Sequence, residues 1–300
     1  MGQIQAKDLI GSMVALVTPM HGDGSINFIQ WQALLEWHVK CGTDAVVVAG
    51  TTGESVLLST TEIAALIKSA VNICQHANTK VIVGTGAINP DKVIQANQQA
   101  AELAADAVLI ATPYYLTLTQ NALLEHFNGI AAQSKLPIIL YNVPNRTGMD
   151  LQASTTAKLA HTPNIIGIKE AKADMDRIKQ LVKIKNFTVL SGDDGSFVEA
   201  MSLGAHGVIS VAANARPQAI KRICNHIQLG NMTEAEQLNE NLTPLYDFLF
   251  HEPNPCPVKA ILHAAEVIDD GIRKPLILTG LKSTHINQHV KHIRQEFNPL

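Results

Sequence analysis

The chain has 300 residues, 46% of them hydrophobic, which suits one large globular domain or a barrel with an appendage and excludes an intrinsically disordered protein. Its 23 basic and 26 acidic residues are interspersed and nearly cancel, so no basic surface for nucleic acid is expected. No apolar stretch approaches the ~18 residues of a membrane-spanning helix, and no membrane partner is expected either.

The cysteines lie far apart and form no CxxC pair (Cys41, Cys74, Cys224 and Cys256). Such spacing disfavours a zinc ribbon or a disulfide framework, and it fits a reducing compartment. The first six residues lack the cationic start and the long apolar core of a signal peptide. We therefore expect a cytoplasmic protein.

Short apolar runs recur along the chain, and a polar loop and a helical stretch follow each of them. Several runs are rich in Val and Ile, as buried parallel strands tend to be. We predict strands at Val14–Thr18, Ala45–Ala49, Lys80–Val83, Ala107–Ala111, Ile138–Tyr141, Ile165–Lys169, Thr188–Ser191 and Gly207–Val211. Apolar residues at three- and four-residue spacing predict helices over Thr60–His76 and Asp91–Ala105. Thr60 or Thr61 is expected to cap the first helix, and Asn89-Pro90 to open the second.

Eight strand–helix units over roughly 230 residues match a TIM (β/α)₈ barrel in number and size. An open, doubly wound α/β sheet is the alternative, because a count of strands does not prove that the sheet closes. Beyond Gly230 the pattern predicts helices without strands, over Thr233–Phe250, Pro257–Val267 and Ser283–Phe297. We predict a catalytic barrel at residues 1–230 and a C-terminal helical appendage at residues 231–300.

Lys169 stands at the end of the predicted sixth strand, after a run that is almost wholly apolar. An amine at the mouth of a buried strand is poorly solvated, and poor solvation favours the neutral, nucleophilic form. Lysines placed in this way attack carbonyls and form Schiff bases. The alternative is a lysine that merely extends its head group to solvent at a strand end.

Other strand ends also carry polar side chains. Thr51 and Thr52 lie in a glycine-bounded turn whose N–H and O–H groups suit a small carboxylate, although a plain strand-to-helix turn would look the same. Tyr141 ends an apolar strand, so its hydroxyl either shuttles protons or is satisfied within the core. Arg146 follows with a planar fork suited to a second carboxylate, with an ordinary surface arginine as the alternative. Gly192 ends the seventh strand and is expected beside the substrate.

Three further patterns are not predicted to bind a metal or a cofactor. Gly84-Thr85-Gly86-Ala87 lacks the third glycine of a dinucleotide fingerprint. His285, His289 and His292 share one helical face, but no Cys or carboxylate completes a metal site, so a solvated or subunit-facing helix is expected. Asp193-Asp194 is expected to cap a helix.

Seven motifs together resemble the dihydrodipicolinate synthase family, within the class I pyruvate aldolase and N-acetylneuraminate lyase superfamily, and the resemblance covers nearly the whole chain. They are Gly50-Thr51-Thr52-Gly53-Glu54-Ser55, Thr112-Pro113-Tyr114-Tyr115, Tyr141-Asn142-Val143-Pro144-Asn145-Arg146-Thr147-Gly148, Gly167-Ile168-Lys169-Glu170-Ala171, Gly207-Val208-Ile209-Ser210-Val211, Glu252-Pro253-Asn254-Pro255 and Pro257-Val258-Lys259. The resemblance implies a TIM barrel that joins pyruvate to L-aspartate 4-semialdehyde, giving 4-hydroxy-tetrahydrodipicolinate for diaminopimelate and lysine synthesis. It also implies a homotetramer built from two tight dimers, with no metal or organic cofactor.

The resemblance further implies roles for individual residues. Lys169 would form the Schiff base with pyruvate. Tyr141 would donate and accept protons, linked through Thr51 to Tyr115 of a neighbouring subunit. Thr52 and the backbone of Ile209 would hold pyruvate, and Arg146 would receive the carboxylate of the incoming aldehyde.

The chain departs from the family's pattern in two places. Many members inhibited by lysine carry polar or acidic residues after the Thr-Thr turn and near the loop of the third strand. The corresponding residues here are Val56, Thr60, Ile63, Ile88 and Lys92. The charge of Lys92 would repel the ammonium of lysine, so weak or absent inhibition is expected although Tyr114 is retained. Lys172, where a small or hydroxyl residue is usual, has no explanation in the sequence.

Two alternatives to the synthase remain. An N-acetylneuraminate lyase or sugar-acid aldolase would share Lys169, Tyr141 and pyruvate, but a buried Arg146 without a carboxylate partner would be costly with a neutral sugar aldehyde. A barrel that only binds a keto acid or a partner protein is the other alternative. The intact set of Lys169, Tyr141, Thr51 and Tyr115 argues against it.

Overall fold

Eight parallel strands close on themselves, because the last strand pairs with the first as well as with the seventh. The computed structural model describes residues 4–278 and 287–297. The strands are β1 Gly11–Ala15, β2 Ala45–Val48, β3 Lys80–Gly84, β4 Ala107–Ala111, β5 Ile138–Asn142, β6 Ile165–Glu170, β7 Thr188–Ser191 and β8 Gly207–Ser210. The predicted TIM barrel is confirmed, and the open sheet is excluded.

Helices cover the outside of the barrel and continue into the tail. They are α1 Phe28–Lys40, α2 Thr60–Cys74, α3 Pro90–Glu102, α4 Gln120–Ala131, α5 Pro144–Thr147, α6 Ala153–Leu159, α7 Met175–Leu181, α8 Phe197–Ser202, α9 Pro217–Gln228, α10 Met232–Glu240, α11 Thr243–Phe250, α12 Cys256–Ala264 and α13 Asn287–Phe297. Alternate residues of each strand face the barrel interior or the helical layer, and this alternation produces two apolar cores. Met13, Val47, Leu109 and Ile209 belong to the inner core.

The first strand lies three residues earlier than predicted. We expected Val14–Thr18, but the strand is Gly11–Ala15. The N–H of Val17 donates to the side chain of Asn214 instead of a strand carbonyl, and the hydroxyl of Thr18 donates to the carbonyl of Gly53. At the other end, pairing with β8 overrides the weak strand propensity of Gly11.

One prediction about a helix cap was wrong, and one is confirmed. Ser59, not Thr60 or Thr61, caps α2: its hydroxyl accepts the N–H of Glu62, whose carboxylate accepts the N–H of Ser59. Asn89 caps α3 as expected, since its side chain accepts the N–H of Asp91.

The predicted helix Thr233–Phe250 is in fact two helices, α10 and α11, since Pro244 has no N–H with which to continue a helix. Of the predicted Ser283–Phe297, residues 283–286 lie outside the described residues, and α13 covers the rest. Leu245 and Val258 of the tail belong to the same outer core as the strands, so the tail packs on the barrel. The domain boundary at residue 230 stays a prediction.

Candidate active site

A cavity of about 520 Å³ lies at the carboxyl ends of the strands. Six of the eight predicted site residues line it: Thr51, Thr52, Tyr141, Arg146, Lys169 and Gly192. A hollow of about 710 Å³ near the amino ends of β6 and β7 is larger, but it is lined by Lys7, Asn186 and His206 among others and contains no lysine–tyrosine pair. Because the active sites of TIM barrels lie at the carboxyl ends of their strands, the smaller cavity is the candidate site.

Lys169 and Tyr141 face each other across neighbouring strands. They are paired in the register of β5 and β6, so both side chains point into the barrel. The Nζ of Lys169 lies 4.5 Å from the centre of the Tyr141 ring. Lys169 is 5% exposed, at the end of a strand that is buried on both faces. The predicted meeting of a buried amine and a proton-carrying hydroxyl is therefore supported by the geometry.

Gly192 leaves the space that the Lys169 side chain occupies. A Cβ at this position would lie 2.7 Å from Cε of Lys169 and 2.9 Å from Cβ of Ala171, both closer than ordinary van der Waals contact. Any larger residue would displace the lysine. The absence of a side chain at residue 192 thus sets where the amine lies.

The turn that holds Thr51 and Thr52 is anchored from the far end of the chain. The carboxylate of Glu54 accepts a bond from Nζ of Lys259 at 2.6 Å, and both side chains are fully buried. Lys259 also donates to the carbonyl of Thr18, at 3.0 Å. Glu54 itself adopts a left-handed backbone with φ of 60°, which is uncommon for a residue with a side chain. A buried ion pair therefore fixes the shape of this turn.

Asn254 connects the two expected carboxylate anchors. Its Nδ2 donates to the hydroxyl of Thr52 at 2.9 Å, and its carbonyl accepts from the guanidinium of Arg146 at 3.0 Å. Asn254 also lines the cavity, but the sequence predicted no role for it. The Pro-rich stretch from Pro253 to Pro257 was the available signal, since prolines hold a loop in one shape.

Arg146 is exposed, not buried as the comparison with sugar aldolases assumed. It lies on the one-turn helix α5, which ends at Gly148 with φ of 70°. Because Arg146 is not buried, its guanidinium loses little free energy when it has no carboxylate partner. Arg146 therefore disfavours the binding of a neutral aldehyde less than we expected. Its position at the cavity still suits a carboxylate.

Two predicted residues do not line the cavity. Ile209 is fully buried in the inner core, and Val211 lines the cavity in its place. Tyr115 is 93% exposed and has a left-handed backbone with φ of 69°. Strain of this kind costs ~1–3 kcal/mol and concentrates at functional sites. A single chain thus leaves Tyr115 outside its own cavity, and its expected role from a neighbouring subunit stays a prediction.

Lys172 now has a structural explanation. Its Nζ lies 3.7 Å from the carboxylate of Asp150 and 3.6 Å from that of Asp174, so it partly neutralises an acidic cluster. Its backbone N–H donates to the carboxylate of Glu170 at 2.9 Å. Burial raises the pKa of Glu170 to about 7, although hydrogen bonds from Asn142 and from the Lys172 N–H favour the ionised form.

The other polar patterns are structural in the described residues. Oδ2 of Asp194 accepts the N–H groups of Val211 and Ala212, so it caps a short 3₁₀ turn after β8 and not one of the α-helices. His285 lies outside the described residues. His289 is buried, not solvated, and burial lowers its pKa to about 4. Within residues 4–278 and 287–297, no cluster of three His, Cys, Asp or Glu side chains could hold a metal ion.

A closed parallel barrel whose strand ends surround a buried lysine–tyrosine pair defines a TIM-barrel enzyme. The chain belongs to the dihydrodipicolinate synthetase family, which it matches over residues 8–296. In the part of the chain that the structure describes, no helix is long and apolar enough to cross a membrane.

Named relatives and solved structures agree with this assignment. The chain is 44% identical to the 4-hydroxy-tetrahydrodipicolinate synthase of Acidithiobacillus ferrooxidans, over 92% of this chain and 94% of the relative. It is 45% identical to that of Coxiella burnetii, over 89% and 91%. The fold superimposes on the dihydrodipicolinate synthase of Acinetobacter baumannii, solved with pyruvate, with a TM-score of 0.89 and 40% identity over 97% and 100% of the chains.

Proposed function

We propose that this chain condenses pyruvate with L-aspartate 4-semialdehyde through a Schiff base on Lys169, giving 4-hydroxy-tetrahydrodipicolinate for diaminopimelate and lysine synthesis. The observation that carries the proposal is the buried Nζ of Lys169, 4.5 Å from the ring of Tyr141 in a cavity that also holds Thr52 and Arg146. The names of the relatives in this family support the same pair of substrates.

The chemistry needs one nucleophile, one proton carrier and two anchors for carboxylates. Lys169 adds to the keto carbon of pyruvate, and loss of water gives an iminium. The iminium draws electrons from the methyl group, so a proton leaves and an enamine forms. The enamine carbon attacks the aldehyde. The substrate's own amino group then displaces Lys169 from the imine and closes the ring.

The protein's groups fit these steps. Tyr141 carries the protons that leave and enter the lysine adduct, with Thr51 as the next hydroxyl in the relay. Thr52 holds the pyruvate carboxylate beside Gly192. Arg146, with five N–H donors, receives the carboxylate of the semialdehyde.

The assembly completes the relay in this proposal. Tyr115, exposed on the single chain, enters the site of a neighbouring subunit within a homotetramer of two tight dimers. A monomeric dihydrodipicolinate synthase variant has the same fold, with a TM-score of 0.90 and 32% identity over 98% of this chain and 99% of that one, so the fold itself does not require the tetramer. We place the enzyme in the cytoplasm.

A comparison of acceptors tests the substrate. Purified protein is given pyruvate with aspartate semialdehyde, and in parallel pyruvate with N-acetylmannosamine or glyceraldehyde. The semialdehyde should react fastest. Faster turnover with either sugar-type acceptor would instead identify an N-acetylneuraminate lyase or a sugar-acid aldolase, which shares Lys169 and Tyr141.

Borohydride reduction tests the mechanism separately. Reduction in the presence of pyruvate should add the mass of the reduced adduct to the peptide that contains Lys169. Label on any other peptide would refute the assigned nucleophile. Lys169→Arg keeps the charge without a comparable nucleophile and serves as the negative control.

A further inference from the structure

Behind the catalytic pair lies a second pair of side chains in the same register. Asn142 follows Tyr141 on β5, and Glu170 follows Lys169 on β6, and these two are also register partners. Because successive side chains of a strand alternate, Asn142 and Glu170 point away from the cavity, towards the helical layer. The side chain of Glu170 is fully buried there.

In the described part of the chain, the groups that hydrogen-bond to the Glu170 carboxylate are all donors. Nδ2 of Asn142 lies 3.0 Å from both oxygens, and the N–H of Lys172 lies 2.9 Å from one of them. Nη1 of Arg177 lies 3.4 Å from the other. An ionised carboxylate accepts hydrogen bonds from all three residues. A protonated carboxyl or an amide at this position would instead place its own O–H or N–H against one of these donors.

These bonds connect the elements that carry the active site. Arg177 of α7 also donates to the carbonyl of Leu151 at 2.7 Å and to the carboxylate of Asp150 at 2.7 Å. Asn142 donates to Asp150 and accepts the N–H of Leu151, both at 2.9 Å. The ends of β5 and β6, the loop after β5 and helix α7 therefore share one network, with Glu170 at its centre.

We propose that the ionised Glu170 carboxylate is a positioning residue that fixes Lys169 relative to Tyr141 by linking the carboxyl ends of β5 and β6. The proposal rests on the function proposed above for Lys169 and Tyr141. Glu170 does not reach the substrate, because its side chain lies on the opposite face of β6 from the cavity. It acts through the backbone of the two neighbouring catalytic residues.

The network also makes this link sensitive to pH. The charged groups that surround Glu170 are Arg177 on α7, Asp150 on the loop after β5, and Lys172 and Asp174 on the loop after β6. Burial and the charge of Asp150 raise the pKa of Glu170 to about 7. The interactions with Asn142, Lys172 and Arg177 act in the opposite direction and lower it. As pH falls through about 7, Glu170 takes up a proton and the link to its donors weakens.

Two variants test the link. Glu170→Gln keeps the size of the side chain but removes the charge, and the rate of imine formation with pyruvate should fall roughly tenfold or more. Asn142→Ala removes donors that favour the ionised form, so the pKa of Glu170 should rise. The acid limb of the pH–rate profile should move to higher pH by about half a unit or more in Asn142→Ala, and the corresponding inflection should be missing in Glu170→Gln.

The control is Asp176→Asn, which removes an exposed acid of α7 that pairs with Lys179 at 3.1 Å. It should keep the wild-type rate and profile. Rates are expressed per folded site, and folding is checked by circular dichroism. If Glu170→Gln does not fold, Asn142→Ala carries the test from the opposite strand.

Three results would overturn the proposal. One is a wild-type rate and profile in both variants, and another is a lower rate per folded site of Glu170→Gln with an unchanged pH profile, which would show that the charge of Glu170 does not set the acid limb. The third is coincident profiles for Asn142→Ala and the wild type. Borohydride labelling separates the two proposals: label away from Lys169 refutes the proposed function, whereas label on Lys169 with unaffected variants refutes only the role of Glu170.

Discussion

Replacement of Gly192 by alanine should move the reactive amine. The added Cβ would lie 2.7 Å from Cε of Lys169, whereas ordinary contact begins at 3.4 Å, so the side chain must shift by about 0.7 Å. A shift of this size in a reacting group can lower a rate by ~10- to 100-fold. We expect kcat to fall by about that factor. The crowding against the backbone of Ala171 should also lower the free energy of unfolding by about 1–3 kcal/mol.

The same loop offers a matched control. A Cβ on Gly195 would lie 3.5 Å from the nearest atom, a carboxylate oxygen of Asp193, which is ordinary contact. Gly195→Ala should therefore keep the wild-type rate. Both variants are compared in steady-state turnover, in the rate of borohydride-trapped adduct with pyruvate, and in thermal unfolding. If Gly192→Ala traps pyruvate as fast as Gly195→Ala does, then the glycine does not set the position of Lys169.

Three further predictions concern the interface, regulation and acid stability. Tyr115→Phe should lower turnover while the monomer remains folded, and dilution to monomers should reduce the specific activity of the wild type; equal activity of monomer and tetramer would contradict the shared relay. Lysine should inhibit weakly or not at all because of Lys92, and half-inhibition below about 1 mM would refute this. Burial lowers the pKa of His38 from 6.5 to about 3, so the folded protein binds fewer protons than the unfolded chain in that range. Stability should fall, by up to about 1.4 kcal/mol per pH unit, as pH drops below 6.5, and His38→Gln should flatten this slope in urea unfolding.

The strands could be predicted from the sequence because each contains a short apolar run rich in β-branched residues. β1 shows where this signal fails. Gly11 has little strand propensity of its own, yet β8 pairs with it, while Val17 looks like a strand residue and donates to Asn214 instead. Local pattern cannot reveal which distant partner accepts a given N–H group.

The residues of the candidate site also divide into those that the sequence could predict and those that it could not. Lys169 and Tyr141 could be predicted because each ends a buried strand, and a barrel brings strand ends together. The role of Asn254 could not be predicted, because it bonds to Thr52, which lies 202 positions away in the chain. The expected role of Tyr115 depends on a second subunit, and the donors that hydrogen-bond to Glu170 are recognisable only once β5 and β6 are aligned.

The ion pair of Glu54 and Lys259 has a consequence for biosynthesis. The two residues are 205 positions apart, so a ribosome that adds ~5–20 residues each second makes Lys259 about 10–40 s after Glu54. Until then the Glu54 carboxylate has no ammonium partner, and the turn that carries Thr51 and Thr52 lacks its anchor. A chain that stalls after β8 would contain every strand of the barrel and still lack the anchor of the turn that carries Thr51 and Thr52. The shape of the active site thus depends on α12, which is made only after the whole barrel.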